Sequence, residues 1–158
     1  TGLGLTHLPV IYEQGGVDGR ALAGGQLRFG SSPQVYAKLL EGAGRALAGV
    51  PDAVLGAAPH SWRAVSLGTL DRVAGMTGGP VHIHIAEQRA EVAEVHSAWG
   101  ARPVEWACAN LPLDSRWCGG SVPRSSPCHW WVGCGCGWTI GLRGRGRRWA
   151  ARRSTRRC

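Results

Sequence analysis

Three short apolar runs, at residues 2–10 (GLGLTHLPV), 52–58 (DAVLGAA) and 80–85 (PVHIHI), limit what this chain can fold into. Each has the length and composition of a buried strand, and each ends at a break in its pattern. Between them the period changes to that of a helix. Residues 12–30 are rich in Gly and read as a long loop. Ser32 and Pro33 then mark a helix start, with Ser as cap and Pro at the first helical position. Val35, Leu39, Leu40, Ala43 and Leu47 follow at helical spacing, weakened by Gly42 and Gly44. Ser66 can cap a second helix carrying Leu67, Leu70, Val73 and Ala74, closed by Gly78 and Gly79. Residues 88–99 are helical, with Val92, Val95 and Trp99 on one face. Residues 103–110 read as a further short helix, and residues 115–118 open a fourth strand. Strand and helix alternate, so an α/β fold with a parallel sheet and helical crossovers is predicted. Both a (β/α)8 barrel and an open doubly wound sheet fit. Either collects its chemistry at the carboxyl ends of the strands. No glycine-rich phosphate loop is present, which weighs against a nucleotide-binding open sheet.

The formal charge of +8 would ordinarily point to nucleic acid or an anionic membrane. Its distribution argues otherwise. Residues 1–118 hold all ten acidic residues against Lys38 and eight arginines, a net −1; residues 119–158 hold nine arginines and no acid. No apolar run approaches the ~20 residues a membrane helix needs, so no membrane partner is expected. The opening residues have no basic region of the kind that starts a secretory signal. They also lack a Met, so further chain is expected upstream. Two cysteines in the body, Cys108 and Cys118, make no disulfide framework, and a reducing cytoplasm is the default compartment.

The polar residues fall where chemistry is expected. In residues 81–88 (VHIHIAEQ), His82 and His84 share one strand face while Val81, Ile83 and Ile85 share the other. Two imidazoles on an apolar strand are costly unless hydrogen-bonded or bound to metal. Glu87, just beyond, could move a proton on a metal-bound water, or simply start a helix. His60 and Arg63 form a second polar pair at a strand end. A fixed guanidinium there could grip a carboxylate through two parallel hydrogen bonds, or be a plain loop side chain. His7 and Tyr12, near the end of the first strand, could line the same mouth.

These residues carry a resemblance. Residues 2–6 (GLGLT), Leu8-Pro9-Val10 with Tyr12, Gln26 with Arg28-Phe29, His60-Ser61 with Arg63-Ala64-Val65, residues 81–88, and Arg116-Trp117-Cys118 resemble the formimidoylglutamate deiminases of the amidohydrolase superfamily. The match runs in order through residues 1–118; HIHIAEQ and HS-x-RAV are its specific parts. The resemblance implies a (β/α)8 TIM-like barrel with one catalytic zinc. His84 would be the metal-binding histidine ending the fifth strand, with His82 in a supporting role. Glu87 would be the proton-shuttling carboxylate. His60 and Arg63 would contact substrate after the fourth strand. The implied reaction, in histidine degradation, is hydrolysis of N-formimino-L-glutamate, a small-molecule substrate, to N-formyl-L-glutamate and ammonia, by zinc-activated water. A homodimer is compatible with the intact enzyme.

The sequence departs from that pattern at both ends. The His-x-His of the first strand would lie upstream, and the motif at His82 is not it, because its flanks match the fifth strand. The sixth strand should lead to a catalytic histidine, but the chain continues as Gly119-Gly120-Ser121-Val122-Pro123-Arg124. The eighth-strand aspartate has no counterpart. A whole barrel needs roughly 250 residues, and the match covers about four strands, the third to the sixth. The body is therefore expected to be a partial barrel, inactive as it stands and a doubtful holder of zinc. Residues 119–158 form a separate tail with eight glycines, nine arginines, four tryptophans and four cysteines. Its composition is that of GC-rich codons read out of phase. Three readings compete: a frameshifted, disordered end; an Arg- and Trp-bearing segment that binds nucleic acid; and a zinc site from Cys128, His129, Cys134 and Cys136. The abrupt break favours the first, so nucleic acid is not expected as a partner. Another zinc-dependent amidohydrolase, or a non-enzymatic basic protein acting through its tail, are the alternative functions.

Overall fold

The structure, a computed structural model, describes residues 4–120. The expectations for the tail, including its disorder and the Cys128, His129, Cys134 and Cys136 cluster, lie outside the described residues. The described chain alternates strand and helix as the periodicity requires. β1 (Leu5–His7) and β2 (Val10–Ile11) are two pieces of one strand, separated around Pro9. β3 (Ala53–Leu55) and β4 (Ala58–Pro59) are likewise two pieces of the next. Both pairs run parallel in one register, Leu5 opposite Ala53 and Val10 opposite Ala58. The hydrogen bonds between them do not stop at the gap: Gly56 N donates to His7 O, Ala58 N to Pro9 O and His60 N to Ile11 O.

The third strand, β5 (Val81–His84), joins β3 and β4 on their other side. Ala57 N donates to Pro80 O, His82 N to Ala57 O and His84 N to His60 O. β6 (Trp117–Gly120) completes the order, with Val81 opposite Trp117 and His84 opposite Gly120. The strand paths thus lie side by side in chain order and all parallel. A doubly wound sheet reverses its order at a switch point; among the described residues there is no reversal, which fits a sector of a barrel. Among the described residues that sector is not closed. β6 runs through Gly119 and Gly120, two residues past the break expected at Cys118.

One irregularity matters for the site. Ala57 bridges Val81, but Ser61 bridges His84. Three residues on one strand therefore face two on the other, which is a β-bulge at Ala58-Pro59-His60. Pro59 has no N–H to give, and a bulge is one of the few places a strand tolerates it. The bulge changes the aim of His60 relative to the strand beside it.

The helices cover one face of this sheet. α1 (Pro33–Leu47) starts where expected, with Ser32 Oγ accepting from Val35 N at 3.2 Å. Its buried face differs from the expected one. Tyr36 and Leu40 are buried, while Val35 and Leu39 are 59% and 50% exposed. The Tyr36 hydroxyl explains the rotation: it donates to Pro9 O at 2.9 Å and accepts from Ala58 N at 3.3 Å, pinning the helix over the first two strands. α2 (Leu67–Gly75) is capped by Ser66, whose Oγ accepts from Thr69 N at 3.2 Å. It buries Leu70 and Val73 as expected, but also Thr69, and it ends before Gly78. α3 (Arg89–Trp99) closes on Gly100, held at a left-handed φ of 72°. α4 (Pro103–Asn110) has the bounds expected of it. Between them Trp62, Trp99 and Trp106 stack edge to face and tilted, with ring centroids 4.5–5.6 Å apart. Arg116 ties the layers together: its guanidinium donates to Ala74 O and Thr77 O and pairs with Asp114, fixing the end of α2 to the start of β6.

Candidate active site

Val81 and Ile83 are buried against the helices, so the pleat turns His82 and His84 to the other face of the sheet, which no helix among the described residues covers. His60 arrives beside them from the neighbouring strand. Its ring lies 5.3 Å from that of His84, edge-on at 65°, and 4.7 Å from that of Tyr12. Tyr12 in turn accepts from Gln26 Nε2 at 3.1 Å. Three strand ends and the Gly-rich loop therefore meet at one mouth. His7 is not part of it. It sits opposite Leu55, well below the strand ends, and is exposed.

Two hollows open here, and His60 lies on the wall between them. One is lined by Leu8, Val10, His82, His84 and Gly120. The other, of about 700 Å³, is lined by Tyr12, Gln26, Arg28, Arg63, Glu87 and Gln88. Such a volume suits a small polar molecule. Burial, then the neighbouring His84, then Arg63 lower the pKa of His60, with Glu87 pulling the other way. Burial and His84 likewise lower that of His82. Neutral imidazoles are the form that accepts hydrogen bonds or binds metal. His60 Nδ1 lies 3.3 Å from Ser61 Oγ.

Arg63 and Glu87, predicted from separate motifs, line the same hollow. Arg63 Nη2 donates to Gln88 Oε1 at 3.4 Å, so the two strand ends touch through their side chains. Glu87 follows Ala86, a buried residue held at φ 58°. That conformation is uncommon for any residue with a β-carbon and tends to occur where a chain must aim a side chain. Among the described residues no group of three His, Cys, Asp or Glu side chains comes together as a metal site. His84 is one candidate ligand; residues 4–120 alone do not fit a zinc ion.

Sequence reasoning missed two things. Arg28 lines the hollow from the loop; it stands among the matching residues with Gln26 and Phe29 but is given no role there. Glu91 is fully buried behind the mouth. A signal for it existed: Gln88 starts α3 and Glu91 stands three residues on, where a capping carboxylate reaches back to the chain.

The fold recurs in known proteins. The structure matches an amidohydrolase from Brucella melitensis with a TM-score of 0.71 and 46% identity, over 75% of this chain and 27% of that one. A zinc-bound adenosine deaminase from Xanthomonas campestris shares the fold, with a TM-score of 0.54 and 22% identity over 71% of this chain and 24% of its own. No family model matches the chain. In sequence and fold the described part is similar to a segment of an amidohydrolase. Within that class it resembles formimidoylglutamate deiminase: the protein of that name from Pseudomonas aeruginosa is 41% identical over 119 residues, 74% of this chain. The chain spans about a quarter, 26%, of the length of that relative.

Proposed function

We propose that this segment supplies the substrate-gripping and proton-moving sector of a C–N hydrolase that converts N-formimino-L-glutamate to N-formyl-L-glutamate and ammonia. The observation that carries the reading is the joint lining of one hollow by Arg63, His60 and Glu87, in a chain 41% identical to a formimidoylglutamate deiminase. Arg63 offers a planar fork to a substrate carboxylate, and neutral His60 accepts a hydrogen bond beside it. Glu87 takes a proton from the attacking water. As the water oxygen bonds to the formimino carbon, that proton passes to the formimino nitrogen; the proton of the added hydroxyl then follows by the same carboxylate as the C=O bond forms, the C–N bond breaks and the nitrogen leaves as ammonia. His84 is the imidazole this reading assigns to a metal ion whose remaining ligands are not among residues 4–120. Zinc, the small-molecule substrate and a cytoplasmic setting, with or without a homodimer, belong to the proposal; no described helix is long and apolar enough to cross a membrane.

A segment exchange tests it. Residues 1–118 replace the matching stretch of the Pseudomonas relative, and ammonia release from N-formimino-L-glutamate is followed. A folded chimera that turns over supports the reading. A folded chimera with bound metal and no turnover would overturn it. In an active chimera, Arg63→Lys keeps the charge but loses the fork, so kcat/KM should fall by roughly 10²-fold, mostly through KM.

A further inference from the structure

Glu91 has no part in the roles assigned so far, yet its carboxylate is 0% exposed, on the helix face that packs against the core. Burying a carboxylate is costly unless something uses it. Oε2 accepts from Glu87 N at 3.0 Å. Oε1 is buried without a partner, and so is Nε of Arg63. Buried polar atoms left unpaired are rare; these two are not hydrogen-bonded to each other, and what links the two side chains is the attraction of opposite charges. Arg63 acts on the Glu91 carboxyl electrostatically, favouring its charged form against the larger effect of burial. The left-handed Ala86 lies immediately before the amide that Glu91 holds.

We infer that Glu91 is a positioning residue: its carboxylate holds the turn that presents Glu87 and draws the Nε side of Arg63 inward, leaving the guanidinium fork to face the hollow. One buried carboxylate thus sets the spacing between the proton-carrying and the carboxylate-gripping side chain. Gln88 Oε1 on Nη2 supports the same orientation from the side. That Arg63 grips a substrate carboxylate rests on the proposed function; the orientation of Arg63 by Glu91 does not.

Hydrogen exchange of the arginine Nε–H groups, followed by NMR in the whole 158-residue chain, tests this directly. The Arg63 Nε–H should exchange at least about tenfold more slowly than that of Arg45, whose side chain is 70% exposed. In Glu91→Gln that protection should disappear, while the indole N–H of Trp62 stays protected. Arg63 exchanging as fast as Arg45 in the unaltered chain would overturn the inference. So would protection that survives Glu91→Gln, or a joint loss at Trp62, which would make Glu91 a mere support of the fold. Arg63→Met is a second route: the Glu91 carboxyl carbon should then titrate at higher pH, and an unmoved midpoint counts against the pairing. None of these readings involves formiminoglutamate, so a failed chimera assay and a failed exchange experiment tell apart the two ideas.

Discussion

His60 is where burial, charge and backbone geometry meet. The bulge at Pro59 aims it, Tyr12 and His84 flank it, and burial favours its neutral form. Its pKa lies below the ordinary 6.5, so folding is favoured by its neutral form above that pH. The contribution is lost as pH falls through the lower folded value. We expect the His60 ring protons to titrate below pH 6.5, and still lower in Glu87→Gln, because the Glu87 charge now holds the value up. An upward move in that variant would contradict the placement of Glu87. In an active chimera Glu87→Gln should lower kcat by about 10²- to 10⁴-fold, the usual size of a proton-transfer contribution, with the metal content unchanged. Tyr36 gives a second test at this scale. Burial pushes its hydroxyl up to about 12, so the stability it supplies is complete below pH 10 and is lost as pH rises to 12. Tyr36→Phe should cost about 1–2 kcal/mol in urea unfolding at neutral pH and should show a smaller loss on going alkaline.

At the scale of elements, the reading from sequence succeeded where a local rule acts alone. Ser32-Pro33 and Ser66 cap their helices because an N-cap needs only its own oxygen and an N–H three residues on. Strand positions and the common face of His82 and His84 follow from period two. It failed where a distant partner decides. The face of α1 is set by the Tyr36 hydroxyl reaching Pro9 and Ala58, and the bulge at Pro59 exists only relative to β5. The meeting of Arg63 with Glu87 likewise depends on the crossover between two strands, while His7 sits opposite Leu55, below the mouth it was expected to line. Glycines show the same division. Gly42 sits within α1 with open space around it, apart from the tip of Arg45 at 3.9 Å. Gly42→Ala should therefore stabilise the chain by about 0.5–1 kcal/mol. Gly79 lies against the backbone of Leu55, where a β-carbon would collide with Leu55 O. Gly79→Ala should destabilise by about 1–3 kcal/mol, since backbone on both sides must move. Urea midpoints of the two variants shifting in the same direction would show that this strand approach is looser than described.

The described residues present a sheet sector with one face covered by their helices. Leu5, Val10 and Val54 are each 44–49% exposed, and the outer strand, β1 and β2, pairs only with β3 and β4 among the described residues. A parallel strand with a free edge and apolar side chains invites association. The mouth built on this sector contains side chains for gripping an acid and moving a proton, but among the described residues only scattered imidazoles for a metal. A catalytic zinc site takes three protein ligands and an open position for water. Ligand number dominates affinity, so one or two imidazoles on a sheet face should release zinc on dialysis. We therefore expect the 158-residue chain by itself to give no ammonia from N-formimino-L-glutamate, while the segment exchange described above is active. Dialysis against zinc followed by metal analysis and a coupled ammonia assay measures both quantities on one sample. Stoichiometric zinc with steady turnover would refute the expectation and would require ligands from residues 121–158 or from a second copy of the chain. Gel filtration of the active fractions would then separate those two sources, since only the second makes activity depend on concentration.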